Sequence, residues 1–354
     1  MARSYNQRGI YQQRRERGFS PRWLILFLIP AILVCLTAYT VYDNGRVMLT
    51  TVRVTVSSLP AALEGFTILQ ASDLAGARFG PSQRVIRDLA EKTNCDAVVI
   101  TGDFIGPDGD TQPFFELIDA LSRNTSSAPI YIIPGDADPA PDSEKLNDWL
   151  TGARQRGARI LDSTTSLAKR DATVWLTPES MLLEPDPADA LSVYQAEIAD
   201  MRARGYDRST RVVLENAQRT ADALEREMVV RGQIQSDDLH IVISHRPVDD
   251  ARAALLNSWA LSGDVFYRSI DAFVAGHLAG GQWRLPYLGA IYVPGRGFFP
   301  NNIEGFAYVD GYAQVISGGL GRSSDTPYPW FRLFNSPELT RIVFTRALVQ
   351  TLQP

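Results

Sequence analysis

The chain has 354 residues, 45% of them hydrophobic and 21% charged, with a formal net charge of −5. This ordinary globular profile excludes disorder over most of the chain, and the negative balance gives no general attraction to nucleic acid. With only two cysteines, Cys35 and Cys95, there is no disulfide framework.

The charge is unevenly spread. Residues 1–22 carry Arg3, Arg8, Arg14, Arg15, Arg17 and Arg22 against the single acid Glu16. Residues 23–42 follow as an uncharged run, WLILFLIPAILVCLTAYTVY, about the length a helix needs to cross a bilayer. Pro30 is tolerated in such a helix, and Trp23, Tyr39 and Tyr42 fall where interfacial aromatics sit. The arginine-rich flank predicts a cytoplasmic N-terminus, a membrane anchor at 23–42 and a main domain outside. A cleaved signal peptide is the alternative. No small-x-small cleavage site follows the run, which favours the anchor.

From residue 51 the pattern alternates between strand and helix. Residues 52–56 alternate apolar and polar positions, as a half-buried strand does. A strand at 66–70 is followed by Asp73, a helix at 81–92, a strand at 97–100 followed by Asp103, a helix at 114–121, and a strand at 130–133 followed by Asp136. Open α/β sheets place their ligand sites in loops beyond the carboxyl ends of strands. Three aspartates in that position suggest one shared site. Strands are expected at 159–161 and 173–176. A charged stretch then reads as two helices, 187–204 and 209–231, the second with an apolar stripe at Leu214, Ala217, Ala221, Leu224 and Met228. The pair packs on its own domain or forms a surface at 187–231 for a protein partner. Strands at 239–244 and 272–275 are followed by His245 and His277, and 308–317 and 341–345 close the domain. His240, the third histidine, opens a strand and needs no functional role.

The ordered set is Asp73, Asp103, Asp136, His245 and His277. Carboxylate and imidazole donors together suit Zn, Mn or Fe. No G-x-S-x-G elbow supports serine catalysis, and the glycines at 318–321 lack the Gly-Lys-Ser/Thr of a P-loop. The triplet at 124–126 fits a glycosylation acceptor, a short pattern that is frequent by chance.

Asp73-Leu74-Ala75, Gly102-Asp103, Gly135-Asp136-Ala137-Asp138, His245 and Gly276-His277-Leu278-Ala279 stand in the order D-x-H, G-D, G-N-H-[DE], H and G-H-x-H. Gly280-Gly281-Gln282 and Gly319-Leu320-Gly321 extend the match. Over about residues 52–345 the chain resembles the calcineurin-like metallophosphoesterases, in particular their bacterial membrane-bound branch. The resemblance implies an α/β fold: a sandwich of two mixed β-sheets flanked by helices at 51–348, with a helical insertion at about 187–231 and one N-terminal transmembrane helix.

The departures fall in a pattern. Ala75, Ala137 and Ala279 replace family histidines, and Asp136 replaces asparagine. Carried over from the family, one metal would be held by Asp73, Ala75, Asp103 and Ala279, so two of its four ligands are gone. The other would be held by Asp103, Asp136, His245 and His277, which all keep a donor atom. Ala137 stands where the family places the histidine that contacts phosphate and protonates the leaving group. Asp138 holds that histidine's partner position, and Asp73 could still hold a water or a loosely bound ion. These two are the catalytic candidates. Arg78 or Arg246 could fill the emptied place beside Asp73. The resemblance implies a phosphoric ester hydrolase using one divalent ion (Mn, Zn or Fe) on a phosphoester or other anionic ligand. The alternative is an inactive relative that binds a phosphate-containing ligand or a protein.

Overall fold

The computed structural model describes residues 21–123, 128–140, 143–184, 186–262, 270–329 and 331–346. The arginines before residue 21 and the triplet at 124–126 lie outside them. The chain divides into two compact units, Met1–Val41 and Tyr42–Pro354. In the first, helix α1 (Pro21–Asn44, ending in the second unit) is apolar and long enough over Ile25–Asn44 to cross a membrane, a property that signal sequences share. The Thr37 hydroxyl donates to the Leu33 carbonyl at 2.8 Å, satisfying that polar side chain within the helix itself.

The second unit opens with β1 (Met48–Val56), β2 (Thr67–Ala71), α2 (Arg84–Ala90), β3 (Ala97–Thr101), α3 (Gln112–Ser122), β4 (Ile130–Ile133), α4 (Glu144–Gln155) and β5 (Ala158–Ile160). Next come β6 (Thr165–Lys169), β7 (Ala172–Pro178), α5 (Glu179–Leu182), α6 (Pro187–Arg204), α7 (Arg208–Arg231), β8 (Leu239–Ile243), α8 (Asp250–Ser262) and β9 (Ala272–Ala275). The short strands β10 (Arg284–Leu285), β11 (Gly289–Ala290), β12 (Tyr292–Val293) and β13 (Gly297–Phe298) precede β14 (Gly305–Val309), β15 (Tyr312–Ile316) and β16 (Glu338–Arg346).

Two mixed six-stranded sheets result, ordered β1-β16-β2-β3-β4-β5 and β14-β15-β9-β8-β7-β6. The central strands β2, β3, β4, β8 and β9 are buried at every position because both of their faces are covered. In β3, Ala97 and Val99 face the opposite sheet, while Val98 and Ile100 face the core under α2, α3 and α4. In β8, Leu239, Ile241 and Ile243 enter the inter-sheet core, and Val242 packs with Ala253 and Leu256 of α8. The sandwich thus has helices on both outer faces, as the resemblance implied.

The expected helix at 81–92 is shorter. Ser82 and Gln83 are left-handed, and α2 begins only at Arg84. Residues 308–317 form a hairpin rather than one strand: Asp310 (φ 47°) and Gly311 (φ 93°) turn the chain between β14 and β15, as an Asp-Gly pair favours. The insertion forms the two expected helices. α7 docks through Glu227, fully buried, whose carboxylate accepts from the Thr164 backbone N–H at 2.7 Å and hydroxyl at 3.0 Å and pairs with Arg231 at 3.4 Å.

Candidate metal centre

Each candidate ligand sits just beyond a strand: Asp73, Asp103 and Asp136 after β2, β3 and β4 of one sheet, His245 and His277 after β8 and β9 of the other. The loops are tied together by backbone bonds. Asp73 N–H donates to the Gly102 carbonyl and Ala75 N–H to the Asp103 carbonyl. On the other sheet Gly276 N–H donates to the His245 carbonyl. Asp73, Asp103 and His277 adopt left-handed φ of 53°, 58° and 71°, a conformation costing about 1–2 kcal/mol each and characteristic of functional loops. Glycine is required at 102 and 135. A Cβ at Gly102 would lie 2.5 Å from Gly135 Cα, and one at Gly135 would lie 2.5 Å from Asp103 Oδ1.

These loops bring Asp103, His245 and His277 together, with one donor atom from each within 4.8 Å of the others. His245 Nε2 is 3.3 Å from Asp103 Oδ1 and 3.5 Å from Asp136 Oδ2. His277 Nδ1 is 3.1 Å from His245 Nε2 and 3.5 Å from Asp136 Oδ2. The other nitrogen of His245, Nδ1, faces the Thr101 carbonyl at 2.7 Å. A carbonyl only accepts, so Nδ1 carries the proton and Nε2 is left to face the cluster. Asp103 Oδ1 accepts from Ala137 N–H at 2.8 Å. Asp103 Oδ2 is buried with no partner at hydrogen-bonding geometry, and the nearby Ser324 hydroxyl also favours the charged carboxylate. Convergent acceptors around an orphaned buried oxygen fit a bound cation.

Electrostatically the cluster favours one positive charge, a proton on His245 Nε2 or an ion in its place. Burial would lower the pKa of His245, but Asp103 and Asp136 lift it to about 11. Burial would raise Asp103, but His245 holds it below the usual carboxylate range. Asp136 is held well below that range by His245 and Arg246. Burial, then the charges of His245 and Arg246, lower the pKa of His277.

Asp73 is fully buried beside the cluster, and its carboxylate accepts from His277 N–H at 3.0 and 3.1 Å and from the Ser72 hydroxyl at 2.7 Å. A Cβ on Gly319 would come within 3.1 Å of Asp73 Oδ2, so the closing loop packs against it. Asp138 accepts from the backbone N–H of Asp103, Phe104, Ile105 and Gly135 at 2.8–3.3 Å. It thereby ties the loop after β3 to the loop after β4. Burial raises its pKa to about 6 against the pull of those donors. His240 is a core histidine, with Nε2 2.9 Å from the Thr177 hydroxyl.

Where the family has histidine, Ala75 (φ 48°) and Ala279 (φ 45°) keep left-handed backbone. Ala137 borders a cavity of about 490 Å³ and Ala75 one of about 320 Å³. Arg78 does not fill the place beside Asp73. It pairs with Asp110 at 2.7 Å and Glu116 at 3.3 Å. Arg246 instead bridges Asp136 at 2.6 Å and Asp325 at 3.2 Å on the rim of the cluster. Arg332 is a further cation near Asp73; it is buried, and burial lowers its pKa to about 10 against the charges of Glu338 and Asp73. Its guanidinium donates to the carbonyls of Gly318, Gly321 and Asn335. Neither Asp325 nor Arg332 was a site residue by sequence. Both lie in the connection between β15 and β16, which returns over the site.

A family model described as calcineurin-like phosphoesterase matches residues 66–280. Among solved structures, a phosphopantetheinyl hydrolase from Mycobacterium tuberculosis is similar with a TM-score of 0.35 and 15% identity, covering 76% of this chain and 96% of that one. A purple acid phosphatase from yellow lupin (Lupinus luteus) seeds gives a TM-score of 0.35 and 10% identity, covering 83% of this chain and 56% of that one. No curated protein matches the sequence. With more than half of its length matched by the family model, the chain belongs to the calcineurin-like phosphoesterase family.

Proposed function

We propose that the protein is a membrane-anchored phosphoesterase with one divalent ion, held by Asp103, His245 and His277 with Asp136 at its edge. The observation that carries this reading is the facing of acceptors. Carboxylate and imidazole donor atoms meet at 3.1–3.5 Å, and Asp103 Oδ2 is buried without a hydrogen bond. A bound Mn, Zn or Fe ion would polarise a phosphoryl oxygen and acidify a water. Arg246, exposed on the rim beside Asp136, offers a planar guanidinium suited to phosphoryl oxygens. With alanine at 137, no side chain there protonates the leaving group, an omission worth about 10²–10⁴-fold. The reading therefore favours phosphoesters whose leaving group departs without a proton. In this reading α1 is the anchor, the basic arm is cytoplasmic and the domain lies outside.

A second reading, a non-catalytic relative that binds a phosphate-containing ligand, is favoured by Asp73. Its carboxylate is already engaged by His277 N–H and Ser72, which leaves little to hold a second ion.

Metal analysis after reconstitution with Mn or Zn tests the centre: one ion per chain is expected, and none would overturn it. Hydrolysis of an aryl phosphodiester separates the readings. Activity abolished by His245→Ala supports the enzyme, activity untouched by that change sinks the mechanism, and no turnover by the loaded protein favours the binder.

A further inference from the structure

His277 comes from a recognisable motif, but the group that orients its ring does not. Its Nδ1 faces the donor cluster, 3.1 Å from His245 Nε2 and 3.5 Å from Asp136 Oδ2. Its Nε2 faces the other way, 3.3 Å from Asp325 Oδ2. Asp325 lies between β15 and β16, outside every motif in the chain. It is held over the cluster by Arg246, whose Nη2 is 3.2 Å from the same oxygen, and its backbone N–H donates to the Ser323 hydroxyl at 3.4 Å.

We propose that Asp325 is a positioning residue that fixes His277 as the Nε2–H tautomer and so turns the Nδ1 lone pair toward the cluster. Its use in metal binding rests on the single-metal reading above; the tautomer itself does not. A neutral imidazole carries one N–H, and an ionised carboxylate only accepts. The proton therefore belongs on the nitrogen that faces Asp325. His245 is arranged the opposite way round, with Nδ1 on the Thr101 carbonyl and Nε2 toward the cluster. The two rings thus present different nitrogens, each selected by an acceptor behind it. Such outer acceptors set which nitrogen a histidine offers to an ion.

The test uses the full chain in detergent micelles. It has three histidines, so long-range ¹H–¹⁵N spectra resolve their tautomers, with His240→Gln and His245→Gln variants assigning the signals. In EDTA-treated wild type, His277 is expected as Nε2–H. In Asp325→Ala that preference is lost, while Asp325→Asn, whose amide oxygen still accepts, restores it. Calorimetric titration with Mn is expected to weaken by about 10–100-fold in Asp325→Ala and to stay near wild type in Asp325→Asn. An Nδ1–H signal in wild type, or an Nε2–H signal unchanged in Asp325→Ala, overturns the proposal. So does a Co-loaded spectrum showing one ligand fewer in Asp325→Ala, because Asp325 would then bind the ion directly. A tautomer that depends on Asp325 in a chain that binds no metal upholds the positioning role and overturns the metal centre instead.

Discussion

At Asp73, burial is the largest influence and lifts the carboxyl pKa to about 7, with His245 opposing and Asp103 adding to the rise. An unfolded aspartate titrates near 3.9, so the folded state binds this proton more tightly. The resulting stabilisation is complete below the unfolded value and is lost as pH rises through about 7. Asp138, raised to about 6, acts in the same direction in wild type and in an Asp73→Asn variant, so their difference isolates Asp73. In EDTA-treated protein the variant is expected to gain on wild type in melting temperature from pH 5 to pH 8. Parallel melting curves across that range would show that burial does not hold the Asp73 proton. Ala137 supports a second prediction. Its neighbours Asp136 and Asp138 keep the family's spacing, and its side chain borders a cavity of about 490 Å³, so a histidine has room. Ala137→His is expected to speed hydrolysis of an alkyl phosphodiester by up to about 10²-fold, and of a nitrophenyl diester far less, since that leaving group needs no proton. Equal gains on both substrates would mean that the new ring acts by binding rather than as an acid.

The elements divide by how local their causes are. β2, β3, β4, β8 and β9 were legible because strands buried on both faces are short apolar runs bounded by turn residues, and the site loops follow them directly. α8 was not read, because apolar residues such as Ala254 and Leu255 also stand on its exposed side, so its apolar positions form no single stripe. α4 has both an N-cap, with the Ser143 hydroxyl accepting from Leu146 N–H, and a stripe at Leu146, Trp149, Leu150 and Ala153, so its sequence did carry the information. Asp325 had no such signal. Its nearness to His277 arises only when β15 lies beside β9 and the chain after it folds over the site. The insertion was legible as helices, but its anchorage was not. Glu227 and Arg231 look like an ordinary surface pair four residues apart, yet both are buried. Glu227→Ala would remove the carboxylate that faces the buried Arg231 guanidinium and accepts from the Thr164 N–H, and is expected to cost about 3–5 kcal/mol in urea unfolding. Glu227→Gln, which still accepts from Thr164, should cost less. A loss no larger than that of an exposed substitution on α7 would show that the hairpin is not held by this pair.

For the molecule as a whole, the junction between apolar helix and domain decides what the mature protein is. Composition alone leaves α1 as either an anchor or a signal sequence. The residues just after the apolar run belong to the domain's structure. Asp43 is 1% exposed and accepts from the Ser336 hydroxyl at 2.7 Å and from Arg46 at 2.8 Å. Asn44 exchanges hydrogen bonds with the Arg332 backbone, donating to its carbonyl and accepting from its N–H at 2.8 Å. Arg332 in turn holds Gly318 and Gly321, and the loop they bound packs on Asp73. Cleavage beyond residue 42 would remove groups that the domain buries, leaving Arg46, Ser336 and the Arg332 backbone short of partners. These contacts bar cleavage past residue 42 and leave cleavage within the apolar run open; under the anchor reading proposed above, the helix is expected to be retained. Intact mass of the protein isolated from membranes should include the residues before Tyr42, and sodium carbonate washing should not release it. A mature N-terminus near residue 40 in a carbonate-soluble protein would show that the helix is only a signal, with Asp43 and Asn44 serving as the first fixed residues of a free domain.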